Sequence, residues 1–141
     1  MTMYVVRLGT TRIDDEGIRI GAVRRPPRGV KKEEYASQNW YDIWLPEIAP
    51  SPELMKLGKS VKSEAEWAKF SGKYKKELSS PDKNRILDLL AVFSHTTNFS
   101  IGCYCEDESR CHRSTLRDLL IDKGAKVRLD IHIYQYHEDN D

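Results

Sequence analysis

Apolar residues cluster or alternate in short runs near both ends of this chain and recur at helical spacing through its middle. "MYVVRLG" (3–9) is β-branched and aromatic and stops at Gly9, which predicts a first strand. Its apolar residues fall on both faces, as in a strand buried on both sides. "GIRIGAVRR" (17–25) alternates Ile18, Ile20 and Ala22 with polar or small residues and predicts a second, weaker strand. "RRPPRG" then breaks regular structure, because proline lacks an N–H and fixes φ.

Helices follow. "NWYDIWLPEIAPSPEL" (39–54) is aromatic and punctuated by proline; Ser51-Pro52 has the form of an N-cap with proline at the first helical position, and Gly58 ends that short helix. Ser63 with Glu66 fits a capping box, after which Trp67, Phe70, Tyr74 and Leu78 recur at helical spacing. Ser80-Pro81 opens another helix with Ile86, Leu89, Leu90 and Phe93 along one stripe. In "NFSIGCYCE" (98–106), Phe99, Ile101, Cys103 and Cys105 share one strand face. After the polar turn "EDESR", Leu116, Leu119 and Leu120 mark a helix that Gly124 closes, and "KVRLDIHIYQY" (126–136) predicts a last strand. The pattern predicts one α/β domain over 1–141, a mostly parallel sheet flanked by helices and ending in a βαβ unit, with 137–141 frayed.

Composition narrows the function classes. The 141 residues are 39% hydrophobic and 32% charged, which is a foldable globular chain. Lys and Arg number 23 against 22 acids, so the net charge of +1 argues against binding generic nucleic acid by bulk electrostatics. No apolar run approaches the roughly 20 residues of a membrane span, and "MTMYVVRLGTTR" lacks a signal-peptide layout; no membrane partner and a cytoplasmic location are expected. Nothing in the pattern sets an oligomeric state.

All three cysteines fall between 103 and 111, where the predicted strand gives way to a helix. Ligands of open α/β sheets collect outside the carboxyl ends of strands, and this turn is such an end. Three chemistries compete with a structural role. Cys103, Cys105, Cys111 and His112 could supply four soft ligands to zinc, although the spacing is not that of an ordinary zinc knuckle. Cys111, near a helix N-terminus and beside Arg110, His112 and Arg113, suits a low-pKa thiolate, and Cys105 could point into the same cleft. Cys105 and Cys111 could form a reversible disulfide. A phosphatase-type loop is excluded, because neither Cys103 nor Cys105 has an arginine after five mostly small, neutral residues. For Cys103, in line with Phe99 and Ile101, the structural reading is a buried small hydrophobe.

Arg7, at the end of the first strand, is expected either to face the cleft or to lie salt-bridged on the surface. Arg24, Arg25 and Arg28, with Lys31 and Lys32, make a basic loop that is either solvated or an anion or phosphate contact. Trp40, Tyr41 and Trp44 could stack on bases, but "WLP" reads as core. Asp42 is either a carboxylate with a raised pKa or a turn anchor. His95 is expected to cap a helix, and His132 to be exposed.

The strand into "CYCEDESRCHRS", with "RLGT", "RIGAVRRPPRGV" and above all "NWYDIWLPEIAPSPEL", resembles the domain-of-unknown-function 488 family over nearly the whole chain. In "YDIWLPEIAPS" it is similar to the YeaO-like branch of that family. The resemblance implies a small α/β domain with enzyme-like polar residues and no settled activity. The family's Cys-His-Arg corresponds to Cys111, His112 and Arg113, and its strand-end cysteine to Cys103. Where the family often carries a glutamate, this chain has Cys105, with Glu106 next. Together these residues predict an enzyme in which Cys105 or Cys111 is the nucleophile or redox centre and His112 the general base. Arg7, Arg113, Glu106, Arg24 and Arg25 would then hold an anionic small molecule or nucleic-acid end. The alternative is a non-catalytic module that binds zinc or nucleic acid.

Overall fold

The computed structural model describes residues 1–105 and 111–128. Five strands, β1 (Met3–Arg7), β2 (Ile18–Gly21), β3 (Ile43–Trp44), β4 (Phe99–Cys103) and β5 (Val127–Arg128), form one sheet in the order β3-β2-β4-β1-β5. Every pairing is parallel, with Met3 beside both Phe99 and Val127 and Ile20 beside both Ile101 and Ile43. Four helices, α1 (Pro52–Lys59), α2 (Glu64–Leu78), α3 (Pro81–Phe93) and α4 (His112–Asp122), complete this α/β fold. β4 and β5 lie on either side of β1, joined through α4; the predicted last strand beyond 128 lies outside the described residues. None of the described helices is long and apolar enough to cross a membrane.

The sheet's two faces are covered differently. Met3, Val5, Ile20, Phe99 and Ile101 pack against Leu54, Phe70, Tyr74, Leu78, Leu87, Leu90, Leu116 and Leu120, which come from all four helices. Tyr4, Val6, Leu8, Val23, Tyr41, Cys103 and Cys111 form a second cluster, against which the loop residues Ile13, Tyr35, Trp40 and Tyr104 pack among the described residues. The chain thus leaves β1 for β2 across the loop-covered face, and β4 for β5 across the helical face. Connections that diverge to opposite faces open a crevice at the carboxyl edge, the usual place for a ligand.

Two packing expectations are corrected. α3 buries Leu87, Leu90 and Ala91, whereas Leu89 and Phe93 are exposed. Its run "ILDLLAVF" supports two overlapping apolar stripes, and docking on the sheet selects one. Trp44, expected in the core, is 42% exposed because β3 is a two-residue edge strand; its indole N–H donates to the Val23 carbonyl (2.8 Å).

Candidate functional site

The loops after β1, β2 and β4 surround a cavity of about 750 Å³ at the carboxyl edge of the sheet. It is lined by Arg7, Leu8, Gly9 and Thr10 after β1, by Arg25, Pro26, Pro27 and Arg28 after β2, by Trp40, and by Tyr104 after β4. Gly9 has φ +89°, a region that side chains disfavour, and a Cβ there would lie 2.7 Å from the Trp40 ring. Glycine therefore lets the turn close against the indole. Trp40 also meets Tyr104 edge to face (5.9 Å), and the Tyr104 hydroxyl donates to the Arg25 carbonyl (2.8 Å), tying two walls together.

A buried ion pair stiffens the loops below. Arg19 and Glu16, 0% and 2% exposed, meet at 2.8 Å. Glu16 also accepts from the Ile13 N–H (2.8 Å) and the Ser100 hydroxyl (2.6 Å), while Arg19 donates to the Thr10 and Asn39 carbonyls (2.9 and 2.7 Å). Asp42 accepts from both Arg12 nitrogens (2.9 and 3.1 Å) and from the Arg19 backbone N–H (2.8 Å). Asp42 is thus the turn anchor.

The cysteine cluster lies at the junction of β4 and α4. Cys103 ends β4, and Cys111 is the N-cap of α4 but makes no side-chain capping bond. Their sulfurs are in direct contact, as in a disulfide, and their Cα atoms are 7.9 Å apart. The imidazole of His112 joins them, with one ligand atom from each residue within 4.8 Å of the others. Cys103, Cys111 and His112 are 0%, 1% and 5% exposed. His112 Nε2 donates to the Ala22 carbonyl (2.7 Å), which can only accept, so its lone pair is on Nδ1. Burial, aided by the Arg113 charge and opposed by the Ala22 bond, pushes the His112 pKa down to about 4, so the ring is neutral near pH 7. Arg113 is buried and donates to the Cys103 and Cys105 carbonyls (3.4 and 2.8 Å), with Cys103 Sγ at 3.6 Å.

The structure therefore divides the predicted site in two. Arg7 and Arg25 line the cavity, joined by Arg28 and Trp40. Cys103, Cys111, His112 and Arg113 are buried around the β4–α4 junction and do not line it. Cys105 is exposed and outside the thiol–imidazole group, so the sulfurs in contact are those of Cys103 and Cys111, not of the Cys105–Cys111 pair considered as one alternative. Arg24 is not among the residues lining the cavity, and its guanidinium donates to the Pro50 and Ala49 carbonyls (3.0 and 3.2 Å). His95 contacts the Gly124 carbonyl (2.7 Å) and is exposed. Glu106 and His132 lie outside the described residues. Thr10 and Tyr104, missed in the sequence, line the cavity; position just past a strand's carboxyl end was the available signal.

The chain is an α/β protein with an all-parallel sheet and an arginine-lined crevice at the sheet's carboxyl edge. The chain belongs to the DUF488 family: residues 3–124 match the model DUF488-N3a, described as the active DUF488-N3 subclade. No curated protein and no solved structure matches the chain.

Proposed function

We propose that this protein is an enzyme whose carboxyl-edge cavity takes a phosphorylated aromatic group, a nucleotide unit either free or at a nucleic-acid end. The observation that carries this reading is the convergence of Arg7, Arg25 and Arg28 on one cavity that Trp40 and Tyr104 also line. Guanidinium forks match phosphate oxygens in shape and charge, and aromatic rings offer a base a stacking surface. Arginines at a phosphate also stabilise charge developing there, which is the main protein contribution in phosphoryl chemistry. The family description as an active subclade supports the enzymatic part. The buried thiols favour a supporting role over direct attack on a substrate.

Tryptophan fluorescence of the full chain, titrated with mononucleotides, the matching nucleosides and 5′-phosphorylated oligonucleotides, tests the reading. Mononucleotides or phosphorylated ends should quench, and nucleosides should bind at least about tenfold more weakly, because charge-assisted hydrogen bonds contribute roughly 1.5–3 kcal/mol each. Replacing Arg25 and Arg28 together by Ala should abolish that preference while leaving unfolding unchanged, since both are exposed. Equal binding of nucleosides and nucleotides, or a double variant that binds like the wild type, refutes it.

A further inference from the structure

Cys103, Cys111 and His112 are not needed by the anion-binding cavity, yet they are the one cluster of three potential metal-ligating side chains found among the described residues. The geometry points to a zinc-type divalent cation site in which Cys103 Sγ, Cys111 Sγ and His112 Nδ1 fasten the carboxyl end of β4 to the first turn of α4.

Three features argue for it beyond proximity. The ligand types are those of tetrahedral zinc, two thiolates and an imidazole, with a fourth position that none of the other described residues is seen to fill. His112 already donates its other ring N–H to the Ala22 carbonyl, the outer bond that ordinarily orients a metal-bound histidine. The Cα atoms of the two cysteines stand 7.9 Å apart, beyond the roughly 4.4–6.8 Å a disulfide ordinarily spans. Two Zn–S bonds of about 2.3 Å at the tetrahedral angle hold their sulfurs about 3.8 Å apart, so the sulfurs, in direct contact in this structure, would have to separate within that wide frame. The cation replaces one proton on each thiol, so binding releases up to two protons, and the pair must be in its reduced dithiol form. Because Tyr104 and the Cys103 carbonyl, which accepts from the Leu8 N–H (2.8 Å), adjoin the site, the metal would brace one wall of the cavity.

The test is elemental analysis of the untagged full chain, kept reduced and dialysed after exposure to zinc. About one zinc per chain is expected, and cobalt in its place should give a thiolate-to-metal charge-transfer band with intense tetrahedral d–d bands. Cys105→Ser should keep both signals, and Cys111→Ser should lose the stoichiometric metal. Reduced wild type that is folded by circular dichroism and takes up neither zinc nor cobalt overturns the site. So does loss of the metal in Cys105→Ser, which would place the ligands elsewhere. These readouts do not depend on whether the cavity binds a nucleotide.

Discussion

Glu16 is 2% exposed, and its carboxylate is surrounded by Arg19, Ser100 and the Ile13 N–H. Removing one member of a buried pair leaves the other charge without water or partner, which outweighs the lost Coulomb energy. Glu16→Ala should therefore cost roughly 3–5 kcal/mol in urea unfolding, because Arg19 stays buried. His112 gives a second prediction at this scale. Its folded pKa of about 4 lies below the ordinary 6.5, so between those values the unfolded chain takes up a proton that the folded chain refuses. The contribution is fully present above pH 6.5, is lost as pH falls towards 4, and amounts to about 3 kcal/mol. Wild type, unfolded in urea with chelator present, should lose about 3 kcal/mol more stability between pH 7 and 4 than His112→Gln does. His112 was legible as a candidate site residue but not as a buried one, and Glu16 was not legible at all. Glu16 and Ser100 are 84 positions apart, and no local pattern announces that they touch.

Helix starts were readable because capping is local chemistry. Ser51 and Ser63 precede α1 and α2 and accept from the Leu54 and Glu66 N–H groups (3.2 and 3.1 Å), as the motifs predict. Ser80 precedes α3 in the same way but makes no side-chain capping bond. Ser63→Ala should thus cost about 1 kcal/mol in thermal unfolding, whereas Ser80→Ala should stay within about 0.5 kcal/mol. Helix faces were less readable. In α3, Leu89 and Phe93 suit a buried stripe as well as Leu87 and Ala91 do, and periodicity does not rank two stripes that differ by a small rotation. β3 misled similarly: its aromatic residues have strand propensity, but an edge position leaves Trp44 partly in water.

Across the molecule, the cavity depends on three loops, 7–10, 25–28 and 104, brought together by strands that alternate in the order β2-β4-β1. The alternation of strand and helix signals, the two proline-led helix starts and the grouping of cysteines at a strand-to-helix turn are short-range features. From them follow the α/β class, the helix starts and a site near the carboxyl edge, because propensity, capping and patterning act over a few residues. Which arginine serves which purpose is a different matter. Arg24 and Arg25 are neighbours, yet one clamps backbone carbonyls and the other lines the cavity. Cys103 pairs with Cys111 while Cys105, two residues along, remains exposed. Those divisions arise only when strands pair in register and loops close over them: residues distant in the chain then set which side chain is desolvated, which is held by a carbonyl and which is left lining the cavity.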